Sequence, residues 1–253
     1  MNSIRQKFIK TLTFSQHKEK VSDEKITKHT LSLIIALLMC AVVSTWAETP
    51  EEWRERGIKA LEGGYYNIAL ACFTKAIALN PNDADSYHTM GVIYNKQGET
   101  KKAISYLEKA IVLDPTSAKS HYYLGTVYTE KRKFGKAIRA FKNATALNPQ
   151  DSDAHYSLGE ALFEKKKTKE AISEYEKVLS LNPSHADAHH GLGTIYLKKG
   201  APQKAAEHFY KAGLLYLRQG NREGALKVYE GLKGTNAKEL EETLHEKLFP
   251  EKR

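Results

Sequence analysis

ADSYHTMGVIYNKQGETKKAISYLEKAIVLDPTS, residues 84–117, is the stretch that decides the fold, because most of the chain repeats it. Four prolines recur at one constant interval, and five glycines and five alanines keep the same step. A fixed period of about 34 residues predicts a stacked array of one small supersecondary unit. The recurring positions are Pro81, Pro115, Pro149 and Pro183; Gly57, Gly91, Gly125, Gly159 and Gly193; and Ala69, Ala103, Ala137, Ala171 and Ala205.

Each unit is predicted to form two helices. Asp85–Lys96 carries apolar residues at near-helical spacing, and Gly98 then interrupts the pattern. A second helix is expected over Lys101–Leu113, ending before Pro115 because the residue preceding a proline avoids the helical region. The next unit begins at once, so neighbouring helices must pack antiparallel.

Small residues are expected where helices cross. Gly91 and Ala103 fall at the predicted crossing within a pair, and Ala110 at the contact with the following unit. Helices of this length are marginal alone in water, so stacking must supply their stability.

The repeated unit resembles the tetratricopeptide repeat (TPR) family from Pro50 to about Leu232. The resemblance implies an all-α, right-handed superhelical solenoid of antiparallel helix pairs with a C-terminal capping helix. It divides the array into residues 50–83, 84–117, 118–151, 152–185 and 186–219. The residues that carry it are the pairs Met90-Gly91, Leu124-Gly125, Leu158-Gly159 and Leu192-Gly193, with Tyr94, Tyr128 and Tyr196.

The period breaks after Ala205, because the next matching alanine is Ala225, well short of a full repeat. We therefore expect one helix over Pro202–Arg218 to end the fifth unit and to open a degenerate sixth unit that ends at 234. A helix over Arg222–Leu232 follows. Residues 235–253 are expected to form the C-terminal capping helix, over Asn236–Leu248, and a tail.

Residues 1–47 have the features of a secretory signal. The apolar run Leu31–Val43 follows a lysine-bearing segment and precedes small residues at Thr45 and Ala47. Cleavage, retention as an N-terminal membrane anchor, and a fortuitous match all remain open. Either membrane interpretation places the solenoid, residues 48–234, in the periplasm, free or anchored to the inner membrane. Membrane contact is expected only through residues 31–47, if they are uncleaved.

Composition limits the partner class. The net charge is +9, and residues 48–253 carry only 32 basic against 27 acidic side chains. This mild excess does not predict a nucleic-acid partner. Cleavage of the signal would leave Cys72 without a second cysteine, and we expect it to be buried within a helix.

The sequence contains no catalytic motif, so the chain is not expected to be an enzyme, and no cofactor is predicted. His121, His155 and His189 recur with the period of the array. Helix packing explains them better than a metal site, because residues on adjacent units lie about 8–10 Å apart. A metal site at His185, His189 or His190 is the weaker alternative.

The resemblance further implies that the first helices of the units line a groove that binds a peptide or helix of another protein. Tyr122, Tyr156 and Phe163 are expected to form an aromatic patch in it. We predict a protein-binding adaptor in a cell-envelope complex; the alternative is a self-associating or membrane-anchored assembly factor that uses the ends and convex face. The predicted groove residues are Arg54, His88, Asn95, Lys119, Tyr122, Thr126, Tyr156, Glu160, Phe163 and His190.

Overall fold

A computed structural model describes residues 49–250. All regular structure in this part of the chain is α-helical, which confirms the predicted all-α solenoid. The helices are α1 (Pro50–Glu62), α2 (Tyr66–Leu79), α3 (Ala84–Lys96), α4 (Thr100–Leu113), α5 (Ala118–Glu130), α6 (Phe134–Leu147), α7 (Ser152–Glu164), α8 (Thr168–Leu181), α9 (Ala186–Lys198), α10 (Pro202–Arg218), α11 (Arg222–Lys233) and α12 (Lys238–Leu248).

The first helix of each pair begins at a side-chain cap. Asp83 accepts a hydrogen bond from the backbone N–H of Ser86 at 3.2 Å, and Asp151 caps α7 in the same way. Such caps satisfy backbone donors that the helix itself leaves unpaired. The second helices α2, α4, α6, α8 and α10 begin without a side-chain cap, so their starting points depend on the preceding turn.

Tight turns join the two helices of each pair. Gly98 adopts a φ of 77° there, and Arg132 and Lys166 adopt 54° and 60° at equivalent positions. This left-handed conformation is costly for a side-chain-bearing residue, yet it reverses the chain within a few residues.

The core is a strip that runs between neighbouring helices. Gly125 of α5 lies against the ring of Phe141 of α6, and that ring is 1% exposed. Ala103 and Ala110 of α4 are likewise buried, as the crossing argument predicts. A core of this form is typical of repeat arrays, in which each unit packs mainly on its neighbours.

α10 is the long helix predicted from the shortened spacing, with the bounds Pro202–Arg218. Its first half buries Phe209 against α9, and its second half buries Tyr216 and contacts α11. The last helix starts at Lys238, slightly later than the predicted start at Asn236. It buries Leu244 and Leu248 against the end of the stack, as the capping prediction requires.

Cys72 is buried in α2, in agreement with its expected packing role. Among the helices between residues 49 and 250, none combines the length and apolarity needed to cross a membrane. The predicted signal or anchor at residues 1–47 lies outside the described residues.

Candidate functional site

The ten predicted groove residues lie on α1, α3, α5, α7 and α9, and we call the surface of these helices the first-helix face. The structure divides the ten into two groups. Residues of α1, α3 and α5 are largely engaged with neighbouring helices, whereas four residues of α7 and α9 line an open cleft.

Charged residues at the N-terminal end of the first-helix face pair with residues at the start of a neighbouring first helix. The Arg54 guanidinium lies 3.6 Å from the carboxylate of Asp83, the nearly buried N-cap residue of α3. Lys119 donates to Asp85 at 2.6 Å across two units. These two cations therefore connect repeats instead of standing unpaired in the groove.

His88 was expected to point into the groove, but the structure buries it between α3 and α5. Its Nδ1 lies 3.0 Å from the hydroxyl of Ser120, and its ring meets Tyr123 edge-on at 5.2 Å. Burial lowers the pKa of His88 to about 4, assisted by the nearby Lys119. The small side chain of Ser120 leaves room for the ring, and this neighbour could not be identified from one helix alone.

Asn95, Tyr122 and Thr126 are half-buried. Asn95 donates to Glu130 at 3.1 Å, and its buried Oδ1 has no hydrogen-bond partner within the described residues. The Tyr122 ring packs 5.7 Å from Phe141, and Thr126 donates to the carbonyl of Tyr122. Tyr122 is therefore part of the core margin as well as of the surface.

An open cleft of about 500 Å³ lies where α7, α9 and α11 meet, and we call it the C-terminal cleft. It contains four of the predicted residues and nine others. Its lining residues are Tyr156, Glu160, Phe163, Glu164, Asp187, His190, Gly191, Thr194, Tyr216, Asn221, Glu223, Gly224 and Lys227.

Aromatic side chains form one wall of the C-terminal cleft. The Tyr156 ring stacks on His185 at 5.0 Å and lies 5.9 Å from Tyr175. Lys198 places its ammonium group 4.6 Å from the centre of the Phe163 ring. These contacts pack the rings against neighbouring side chains. The wall is an aromatic surface of the kind enriched at binding hot spots.

The cleft also contains carboxylate side chains, two of which accept hydrogen bonds from buried tyrosines. Tyr175 donates a short hydrogen bond to Glu160, and Tyr216 donates one to Asp187. Burial raises the pKa of Glu160, an effect that the Tyr175 hydrogen bond opposes. Burial likewise raises the pKa of Tyr216, so its phenol remains a donor at neutral pH.

The cleft lining has four acidic residues, Glu160, Glu164, Asp187 and Glu223, against the single lysine Lys227. The His190 pKa is lowered by burial and by Lys227, so this imidazole adds no positive charge at neutral pH. The cleft is therefore acidic as well as aromatic, and it favours cationic groups beside apolar ones.

Five lining residues missed by the sequence analysis come from the degenerate sixth unit: Tyr216, Asn221, Glu223, Gly224 and Lys227. They reach the cleft because α10 serves two units and brings α11 close to α9. The shortened spacing between Ala205 and Ala225 could have indicated that the sixth unit contributes to the cleft. It was used only to predict where the helices begin and end.

The histidines considered as metal ligands do not come together. His185 stacks on Tyr156, His189 lies 3.0 Å from His208 between their Nδ1 atoms, and His190 faces Phe209. Within residues 49–250, no group of three or more histidine, cysteine or acidic side chains is placed to hold a metal ion.

Four family models match the sequence. Residues 96–178 match the model described as anaphase-promoting complex, cyclosome, subunit 3, and residues 159–200 match a TPR repeat model. Two tetratricopeptide repeat models match residues 72–105 and 209–235. A comparison with curated protein sequences gave no match.

Solved structures show the same fold. A crystal structure of MamA is 31% identical, covers 65% of this chain and 96% of its own, and has a TM-score of 0.62. MamA from Desulfovibrio magneticus RS-1, residues 41 to the end, is 24% identical over 68% of this chain and 98% of its own, with a TM-score of 0.64. YrrB, described as a TPR protein with an unusual peptide-binding site, is 26% identical over 68% and 96%, with a TM-score of 0.51.

Proposed function

This chain belongs to the tetratricopeptide repeat family, and from that premise we propose that it is a protein-binding scaffold that holds a segment of a partner protein in the C-terminal cleft. The observation that carries the proposal is the packed aromatic wall beside four acidic residues in one open cleft. The peptide-binding site described for YrrB supports the class of ligand.

The chemistry of the cleft selects the kind of segment. Tyr156 and Phe163 offer ring faces to apolar or cationic side chains, and Asp187 and Glu223 offer carboxylate oxygens. An arginine can contact both the rings and the carboxylates, because its guanidinium stacks on rings and pairs with carboxylates through two parallel hydrogen bonds. The segment is therefore expected to carry lysine or arginine next to an apolar residue.

A random peptide library displayed on phage and selected against the full chain tests the proposal. The enriched peptides are expected to carry a basic residue beside an apolar one. Thr194→Arg should weaken their binding by about tenfold or more, since its guanidinium would occupy the cleft and pair with the carboxylates.

Thr74→Arg supplies the matched control, because Thr74 is an exposed residue of α2 and does not line the cleft. It should bind the selected peptides as the wild type does. Equal loss in both variants, or equal binding by both, would contradict the assignment of the site.

We further propose that the scaffold acts outside the cytoplasm, in a cell-envelope complex. The support is the apolar run Leu31–Val43 followed by small residues before Glu48. Sequencing the N-terminus of protein purified from its envelope fraction tests this: a start at Glu48 is expected for a cleaved signal. An intact terminus on protein that remains in the cytoplasm would contradict export.

A further inference from the structure

Basic side chains are concentrated in the turns inside the helix pairs. Four of these turn segments together contain 14 lysines and arginines against four acidic residues, and all 14 basic residues are exposed. The rest of the described solenoid contains 16 basic and 21 acidic residues. The net charge of the chain is modest although its basic residues are concentrated at these turns. The segments are residues 96–102, 130–136, 164–170 and 198–204.

Contacts between units place these turns along one edge of the stack. Asn95 donates to Glu130 across two first-helix ends, Arg132 pairs with Glu164 at 3.5 Å, and Lys198 lies over Phe163. Each contact joins one turn region to the next. We call the resulting surface the basic edge, defined by the four segments above.

The spacing of the turns makes their charges act together. Packed helices lie about 8–10 Å apart, and the Debye length at physiological salt is about 8 Å. Fields from adjacent turns therefore overlap. The opposite turns, between one pair and the next, contain acidic residues, namely Asp83, Asp114 and Asp151, so the cations of the basic edge face one direction.

We propose that the basic edge docks the solenoid onto a membrane surface that contains anionic phospholipid. A surface of this kind presents phosphate charge in a plane, which a row of flexible lysines can contact at several points. Juxtamembrane basic residues contribute to such binding individually and additively. The apolar run Leu31–Val43 precedes the solenoid in sequence, so the edge would add a second membrane contact to the one expected there.

Nucleic acid is a less suitable partner for the basic edge than an anionic membrane. Thirteen of the 14 cations are lysines, which act as point charges and lack the fork of arginine that recognises phosphate and base edges bidentately. The four segments contain one aromatic residue, Phe134, and its ring faces Arg132 at 5.3 Å. Rings on which bases could stack are otherwise missing from these segments.

Vesicle flotation with the full chain tests the proposal. Binding to phosphatidylcholine vesicles measures the apolar contribution, and vesicles with about 30 mol% phosphatidylglycerol add the anionic one. We expect the anionic vesicles to bind at least about tenfold more tightly, and raising the salt from about 0.1 M to about 0.5 M to abolish the difference.

An edge variant and a control variant distinguish binding through the basic edge from binding through the overall positive charge of the chain. Replacing four edge lysines by glutamine should lower binding to anionic vesicles at least about tenfold, whereas replacing four lysines away from the edge should lower it much less. The edge variant changes Lys131, Lys133, Lys165 and Lys199; the control changes Lys75, Lys109, Lys211 and Lys238.

Circular dichroism checks that both variants remain folded. If the edge variant does not fold, the salt titration of the wild-type chain still tests whether binding depends on anionic lipid. Equal binding of neutral and anionic vesicles, or equal losses in the two variants, would overturn the proposal. Displacement of the chain from vesicles by a DNA duplex at equal phosphate concentration would also overturn it, because the edge would then prefer nucleic acid.

Discussion

A glycine opposite a large side chain sets the distance between the helices of every regular pair. A Cβ added at Gly91 would meet Leu107, and one at Gly125 or Gly193 would meet the ring of Phe141 or Phe209. The repeating glycine seen in the sequence is thus the partner of a large residue at a fixed position in the second helix. Backbone freedom is not the reason for it, since these glycines lie within helices.

Gly125→Ala is expected to destabilise the protein by about 1–2 kcal/mol, because overpacking of about 1–3 kcal/mol exceeds the helix-propensity gain of about 0.5–1 kcal/mol. The new Cβ would lie 2.6 Å from a carbon of the Phe141 ring, and that ring has no free space into which to move. Urea unfolding followed by circular dichroism measures the change.

Gly135→Ala is the control for the same exchange in the same pair. No atom lies within 4 Å of a Cβ added there, so only the propensity gain remains, and stability should rise by up to about 1 kcal/mol. Equal effects of the two substitutions would show that the contact with Phe141 does not set the packing.

The long helix α10 shapes the C-terminal cleft. Its 17 residues complete the fifth pair and begin the sixth, which removes a helix and a turn from the regular array. As a result α11 lies beside α9, and the N-terminal turn of α11 closes one side of the C-terminal cleft. The proposed binding site is therefore located where the repeat departs from its period.

The helix pairs could be predicted from sequence because the packing that fixes them is local and repeated. Gly91, Ala103 and Pro115 each restrict one crossing or one turn, and the same restriction recurs in every regular unit. Predicted and observed helix ends consequently differ only slightly, as at Asn236 and Lys238.

The functional surface was less predictable because it depends on contacts between units. His88 is buried since Ser120 of the next unit leaves space for its ring, and Tyr216 and Lys227 reach the cleft only through the shared helix. Helical periodicity assigns residues to a face, but it does not say which neighbour covers them. Tyr156 and Phe163 could be placed on the same surface from the sequence, because both lie on one regular helix of the array.

For the molecule as a whole, stability must be transmitted along the stack, because each pair buries its apolar residues against the next. An end of the stack therefore exposes apolar surface unless another element covers it. At the C-terminal end α12 has this role: Leu244 lies over Gly213 of α10, and both Leu244 and Leu248 are fully buried.

A chain that ends after Thr235, and so lacks α12, is expected to melt lower by on the order of 10 °C and to self-associate. Burial of each leucine contributes about 1.5–3 kcal/mol, and each kcal/mol shifts the midpoint of a protein of this size by about 2–4 °C. The exposed end of α10 and α11 would present a stacking surface to a second copy.

A chain that ends after Leu248 keeps the cap and should behave as the full chain does. Thermal melts and light scattering over a range of concentrations distinguish the two. A monomeric shorter chain with an unchanged melting temperature would mean that α12 is not a cap and that the array is closed by α11 itself.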